Sequence, residues 1–361
     1  MRSIRWLTLL VLLVAFDAAA AEEKAVPEPS RKAPAAARPK DGVAAQLIDL
    51  AGGRRVKVAW LRGGAAQGDD GYLMGFDTAE GKERVIVPAP TVCTDPYFSP
   101  DGNRILFSSL PAEQKAYIVD WDGKNLRTIL TGRHSCVHGL WRDPATGIEW
   151  VYASDAASKE ADAELAASGR ENLAKHYALS VYRYKLKDLS VRELVWDKMP
   201  IGARAAIATD GTMMTGEIEW PNCGVITVPN GTYKVFGSGC NANLAPDGSG
   251  LFFNLIGDHR TITMYDKAGG LKAKFAINTM PGNDKDPERK IWRPRWSNDA
   301  RLFSVRSADM APVGDVCVGA FNETFTGVEG WVQVTDTADN DGCPLAWVEP
   351  AAASARKKKT E

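Results

Sequence analysis

The segment Tyr97-Phe98-Ser99-Pro100-Asp101-Gly102, which leads into Arg104-Ile105-Leu106-Phe107, decides the fold class of this chain. Two short apolar stretches flank a turn in which proline presets φ, while aspartate and glycine accommodate the tight bend. The same arrangement recurs at residues 140–152, 207–214, 243–253 and 295–305. Recurrence of one strand–turn–strand unit indicates a repeat architecture, so the fold follows from how the units assemble.

A second hairpin follows most of these units, and two hairpins make a four-stranded sheet. Residues 117–119, for example, turn at Asp122-Gly123 toward residues 126–130. Five units are visible, and residues 56–87 imply a sixth. We therefore predict an all-β fold, a six-bladed beta-propeller with four-stranded blades. The last strands, near residues 331–334 and 345–348, are expected to close the ring against the N-terminal segment, since closure removes exposed sheet edges.

Residues 156–176 break the strand pattern. Ala, Glu, Lys and Leu dominate there, and these residues favour helix. We predict a short helical insertion in the third blade, between its second and third strands.

The Ser-Pro-Asp-Gly turn between apolar strands resembles the repeat of TolB-type beta-propeller proteins of bacterial envelopes. The resemblance covers roughly residues 50–349. TolB has an α/β domain before its propeller, whereas the preceding residues here suit only a linker, so the resemblance implies a TolB-like propeller without that domain. TolB-like propellers also occur in secreted enzymes and carbohydrate-active proteins, and the fold does not choose among these functions.

The two ends of the chain differ in composition from the repeats. Residues 1–21 indicate a secretory signal peptide, with Arg2 and Arg5 before an apolar stretch and small residues at its end. Residues 22–41 predict a disordered linker, residues 42–350 the propeller, and residues 351–361 a disordered basic tail. We expect a periplasmic or secreted protein, with no membrane span after signal cleavage.

The charges of the chain are balanced. Lysine and arginine number 44, aspartate and glutamate 45, and the formal net charge is −1. This balance argues against nucleic acid as a partner. Neither a Gly-x-Ser-x-Gly elbow nor a phosphate-binding glycine loop occurs, and no cofactor is predicted. We expect a monomer.

The loops that enter the innermost strands gather at one mouth of the central channel, as do the loops that join second to third strands. Their Arg and His side chains can bind carboxylates or phosphates, Asn can bind hydroxyls, and Trp can stack on a sugar ring. The candidate ligand-binding residues are Asp95, His134, His138, Arg204, Asn241, Asn243, His259, Trp292, Arg293 and Arg295. The alternative is that these residues cap strand ends and bridge blades. His134, His138 and His259 could form a metal site, but their spacing is a weak signal and no metal is predicted.

Six cysteines in an exported chain favour disulfides. Folding the hairpin at Asn230-Gly231 brings Cys223 nearly opposite Cys240, which predicts a first pair. Cys317 and Cys343 occupy the matching places in the sixth blade, and Cys93 and Cys136 remain as a third pair. The alternative is that these cysteines are buried thiols.

Two functions of different classes remain open at this point. The first is a binding scaffold that recognises a glycan or an envelope protein at one face of the propeller. The second is a secreted polysaccharide lyase or glycoside hydrolase with its site on the histidine-bearing face. The first is preferred, because the sequence offers no recognisable catalytic set.

Overall fold

The fold is that of a computed structural model, which describes residues 41–63, 71–92, 95–108, 115–131, 136–155, 177–178, 180–197, 201–202, 205–208, 210–218, 221–229, 231–283, 286–309 and 313–351. The predicted signal peptide, the linker up to residue 40, the predicted insertion at 156–176 and the tail from residue 352 lie outside these ranges. Over the described ranges, no helix has the length and apolarity to cross a membrane.

The first half of the described chain holds one helix and twelve strands. They are α1 (Asp41–Leu50), β1 (Val56–Arg62), β2 (Gly71–Asp77), β3 (Lys82–Val92), β4 (Tyr97–Phe98), β5 (Arg104–Ser108), β6 (Lys115–Asp120), β7 (Arg127–Thr131), β8 (Cys136–Arg142), β9 (Glu149–Asp155), β10 (Tyr177–Ala178), β11 (Ser180–Lys185) and β12 (Asp188–Trp196).

The second half consists of short strands alone. They are β13 (Ile201–Gly202), β14 (Met213–Glu217), β15 (Asn222–Thr227), β16 (Tyr233–Ser238), β17 (Cys240–Leu244), β18 (Phe252–Leu255), β19 (Thr261–Tyr265), β20 (Leu271–Ala276), β21 (Trp292–Trp296), β22 (Leu302–Arg306), β23 (Val316–Phe321), β24 (Val328–Gln333) and β25 (Asp341–Val348).

These strands form six antiparallel blades, which confirms the predicted six-bladed propeller. From the inside outward, the blades are β25-β1-β2-β3, β4-β5-β6-β7, β8-β9-β11-β12, β14-β15-β16, β17-β18-β19-β20 and β21-β22-β23-β24. In the fourth blade the innermost strand is reduced to one bridge, from Ile207 to Met214. Strands β10 and β13 pair separately.

The C-terminal strand closes the ring. β25 pairs antiparallel with β1, so the innermost strand of the first blade comes from the end of the propeller sequence. Asp341 of β25 is fully buried and accepts hydrogen bonds from the Trp60 indole, at 3.0 Å, and from the Arg62 Nε, at 2.7 Å. Closure against the N-terminal segment is therefore confirmed for residues 345–348, whereas residues 331–333 belong to β24, the outermost strand of the sixth blade.

Each interface between neighbouring blades has its own hydrophobic core. Val58 and Trp60 of β1 pack toward the sixth blade, with Val316 and Val318. Ala59 and Leu61 of the same strand pack toward the second blade. The side chains of a strand point alternately to opposite faces of its sheet. A blade therefore contributes apolar side chains to the interfaces with both neighbouring blades. Four further clusters occupy the remaining interfaces around the ring.

One hydrogen-bonded turn recurs between first and second strands. The carboxylate Oδ1 of an aspartate accepts the backbone N–H two residues later, at 2.8 to 3.1 Å, and the aspartates are Asp101, Asp210, Asp247 and Asp299. This side-chain turn is the physical reason for the sequence repeat. These turns lie on one rim of the propeller. The irregular polar loops that enter the innermost strands therefore lie together on the opposite rim.

Helix α1 lies where the linker was expected to give way to the propeller, and it was not predicted. Ala44, Leu47 and Ala51 are buried in the core between the first and sixth blades. Their spacing of three, four and seven residues is the helical signal that identifies such a segment. The helix ends at Leu50, and the turn that follows contains Gly52 and Gly53, whose φ values of 64° and 84° favour glycine.

Candidate functional site

A bulge at the start of the innermost strand recurs around the ring. The pairing register with the second strand shifts between Cys240 and Asn243 in β17 and between Trp292 and Arg295 in β21. In β25 it shifts between Gly342 and Leu345, which pair with Leu61 and Ala59 of β1. Asn241, Arg293 and Cys343 in these bulges have left-handed φ values of 53°, 54° and 53°. Non-glycine residues rarely adopt this conformation, and bulges redirect side chains. The bulges therefore place the side chains of Asn241, Arg293 and Cys343 at equivalent positions on the rim.

Arg293 and Asp95 meet across the mouth of the channel. The Arg293 Nη1 donates to the Asp95 Oδ1 at 3.0 Å, with side-chain exposures of 12% and 5%. Arg293 belongs to the sixth blade, and Asp95 precedes the innermost strand of the second. The ion pair therefore connects two blades that are separated in the ring by the first blade. The same guanidinium also donates to the thiol of Cys343 in the first blade.

Arg295 makes a second link between the sixth and second blades. Its Nη1 donates to the carbonyl oxygen of Pro96 at 2.9 Å, and its guanidinium lies 4.5 Å from the ring centroid of Tyr97. The structure thus brings three of the predicted residues, Asp95, Arg293 and Arg295, into one cluster.

Two predicted residues have structural contacts instead. The Asn243 amide donates to the carbonyl oxygens of Asn241 and Pro294, which ties the fifth blade to the sixth. His138 is 1% exposed, and its Nε2 shares a hydrogen bond with the hydroxyl of Ser154. Burial lowers the pKa of His138 to about 4, so its imidazole is neutral at physiological pH.

His259 and Trp292 form a second cluster on the same rim. Their ring centroids are 5.6 Å apart. The His259 Nδ1 lies 2.9 Å from the Asp309 Oδ2, and its Nε2 lies 3.7 Å from the Cys240 Sγ. Asp309 follows the second strand of the sixth blade, in the loop equivalent to that of His259. Extending the loop comparison to the sixth blade would have identified it.

The predicted disulfides of the described cysteines are not formed. Cys223, Cys240, Cys317 and Cys343 are thiols in the structure. The residue after the fourth strand of a blade begins the innermost strand of the next, so Cys240 lies in the fifth blade and Cys343 in the first. Burial raises the pKa of the Cys223 and Cys317 thiols.

Some of the predicted residues are not among those that the structure describes. His134, Arg204 and Cys93 lie outside the described residues, as does the side chain of Cys136. Among the residues that are described, no group of three or more His, Cys, Asp or Glu side chains is arranged to hold a metal ion.

Two cavities lie away from the rim clusters. One, of about 280 Å³, is lined by residues of β7, β9, β11 and β12, including Ser154 and Arg192. The other, of about 480 Å³, lies between α1 and β24 and includes Trp331. Neither contains the polar residues of the channel mouth, so the convergence of side chains there, rather than cavity size, identifies the candidate site.

Comparison with solved structures supports the architecture. TolB from Acinetobacter baumannii superposes with a TM-score of 0.55 and 13% identity, covering 81% of this chain and 66% of that one. A putative TolB from Agrobacterium tumefaciens gives a TM-score of 0.50 and 15% identity, covering 82% and 99%. A chain of a nidogen/laminin complex superposes with a TM-score of 0.51 and 8% identity, covering 82% of this chain and 98% of that one. These likenesses show a TolB-like propeller fold.

The sequence comparisons add no family assignment. No family model and no curated protein match this sequence. The chain spans just under two thirds of the Acinetobacter TolB chain.

Proposed function

We propose that this protein is an exported binding scaffold that recognises a peptide segment of an envelope protein at the channel mouth around Arg293. One observation carries the proposal: the Arg293 Nε is buried and, among the described residues, has no hydrogen-bond partner. A buried N–H without an acceptor costs roughly 1–3 kcal/mol, and an acceptor on a ligand removes that cost. A backbone carbonyl or a terminal carboxylate is such an acceptor.

The surroundings of Arg293 suit a peptide. The half-buried Trp292 ring lies 5.6 Å from the guanidinium carbon of Arg293 and offers an apolar surface beside the N–H donor. Aromatic residues and arginine dominate the energetics of protein interfaces. Asp95 neutralises the Arg293 charge, so the site favours a hydrogen-bonded segment over a highly charged ligand.

Export and a protein partner have separate support. The Arg2 and Arg5 start, the apolar stretch and the small residues that follow are typical of a signal peptide. The TolB fold likeness agrees with an envelope location. A similar propeller chain also comes from a complex of nidogen with laminin, so proteins of this shape occur in protein complexes.

The test places a photo-crosslinking amino acid, benzoylphenylalanine, at Trp292 in the exported protein. We expect an envelope protein to be captured from position 292, and its yield to fall at least about tenfold when Arg293→Gln is added. The matched control carries the same group at Leu271, which is 68% exposed on an outer strand and should not capture that protein. Equal capture from both positions, or glycan-array binding without a protein crosslink, would refute a peptide ligand.

A further inference from the structure

Three polar side chains on the rim form an ordered chain from a thiol to a carboxylate. Cys240 opens the innermost strand of the fifth blade, His259 lies in the hairpin between β18 and β19, and Asp309 follows β22. The thiol sulfur lies 3.7 Å from the His259 Nε2, and the His259 Nδ1 lies 2.9 Å from the Asp309 Oδ2. A nucleophile beside a base that a third group orients is the arrangement of an activated thiol.

The backbone holds the imidazole and the carboxylate in place. The His259 N–H donates to the carbonyl oxygen of Ile256 at 2.9 Å, and its own carbonyl accepts from the N–H of Ile291 at 2.8 Å. The Asp309 N–H donates to the carbonyl oxygen of Lys290 at 2.9 Å. His259 has a left-handed φ of 53°, a conformation that surrounding contacts must maintain.

The three groups are accessible. The side chains of His259 and Asp309 are 22% and 19% exposed, and Cys240 is half-buried. Cys223 and Cys317, by contrast, are 0% exposed. Because Asp309 accepts the Nδ1 proton, the Nε2 lone pair faces the thiol and can take its proton.

We propose that Cys240 is a nucleophile for acyl transfer from carboxylic esters, with His259 as its base and Asp309 as the residue that positions His259. The Cys240 sulfur attacks the carbonyl carbon, the thiol proton passes to the His259 Nε2, and a C–S bond forms as the carbonyl electron pair moves to oxygen. Collapse of this intermediate breaks the C–O bond, and the alcohol leaves with the proton from His259. Water then hydrolyses the thioester to the carboxylic acid and restores the thiol.

A donor for the developing oxyanion is also present. The Asn241 Nδ2 lies 3.2 Å from the Cys240 Sγ, and a side-chain amide beside the nucleophile can stabilise negative charge on the carbonyl oxygen. Trp292, next to His259, supplies an apolar wall for the acyl group. This inference does not depend on the peptide ligand proposed above.

The experiment treats the exported protein, kept in a reducing agent, with p-nitrophenyl acetate, and locates the acetyl group by peptide mass spectrometry. We expect acetylation of Cys240 and a burst of p-nitrophenol. His259→Asn preserves a residue tolerant of left-handed φ and should slow acetylation by about 100-fold. Asp309→Asn should slow it less and shift the pH profile of the reaction toward that of an ordinary thiol.

Matched controls separate chemistry from folding. Glu288→Gln makes the same carboxylate-to-amide change at a neighbouring residue that is 79% exposed, and it should leave the acetylation rate unchanged. The unfolding midpoint of each variant is measured alongside, and Asp309→Asn serves as the test if His259→Asn fails to fold. The proposal is overturned by an unmodified Cys240 in the wild type, by equal rates in all variants, or by a Cys223–Cys240 disulfide in protein isolated without a reductant.

Discussion

Trp347 of the first blade lies directly over Gly102 of the second, where a Cβ atom added to the glycine would overlap the indole ring. The indole N–H donates to the carbonyl oxygen of Pro100 in the same turn, at 3.1 Å. Trp141 and Gly211 repeat this relationship between the third and fourth blades. The glycine of the repeated turn therefore serves blade packing as well as the turn.

Gly102→Ala should destabilise the propeller by more than the same change at Gly248. Both glycines have left-handed φ values, 68° and 75°, so both substitutions incur a backbone penalty of roughly 1 kcal/mol. Only the Cβ at position 102 meets Trp347, since a Cβ at position 248 has nothing within 4 Å. Urea unfolding of the two variants measures the difference, and equal midpoints would contradict it.

Asp341→Ala should open the closure between β1 and β25. The carboxylate is fully buried and pairs with Arg62, which is itself buried together with Glu83. Removing one partner of a buried pair costs roughly 3–5 kcal/mol, because the other charge stays buried. Asp339→Ala is the control, since Asp339 is 56% exposed and 3.6 Å from Arg62, and it should change the free energy of unfolding by less than about 1 kcal/mol.

His138 should make stability fall in acid. Burial lowers its pKa from 6.5 to about 4, so between these values the unfolded chain binds a proton that the folded protein excludes. The free energy of unfolding is therefore unaffected by protonation of His138 above about pH 6.5. It falls between about pH 6.5 and about pH 4, by roughly 3 kcal/mol in total. Denaturant unfolding from about pH 7 to about pH 4 measures it, and His138→Gln should flatten the slope. An unchanged slope in that variant would rule His138 out as the source.

Leu47→Ala should show that α1 is part of the propeller core. Leu47 is 1% exposed among residues of the first and sixth blades, and truncating such a side chain costs roughly 2–5 kcal/mol. Gln46→Ala, on the exposed side of the helix, should leave the unfolding midpoint nearly unchanged. Similar midpoints for both variants would mean that the helix contributes little to stability.

The repeat made the architecture predictable from sequence. The turns at Asp101, Asp210, Asp247 and Asp299 depend on local hydrogen bonds, so their residue types alone identify them. The alternation in β1, with Val58 facing one blade and Ala59 the other, follows from the period of a strand. The need to pair sheet edges predicted that the ring closes, and the structure shows that β25 supplies the closing strand.

The site was predictable only in part, because its contacts join distant residues. Arg293 reaches Asp95 over 198 residues of sequence, and no local pattern gives that distance. Cys240 begins the innermost strand of the fifth blade, so it lies beside His259 of that blade and not opposite Cys223 of the fourth. Asp309 lies in the sixth-blade loop that is equivalent in position to the loop of His259, so the position of the loop identifies it and its composition does not.

The pairing of β25 with β1 also fixes the order in which the ring can be completed. β1 precedes β25 in the chain, so β1 is synthesised long before the strand that pairs with its inner edge. Blades two to six can therefore assemble while Val56–Arg62 still lacks this partner. An unpaired strand edge is prone to intermolecular association. Until β25 pairs with β1, the propeller is therefore most prone to misassembly at the open edge of β1.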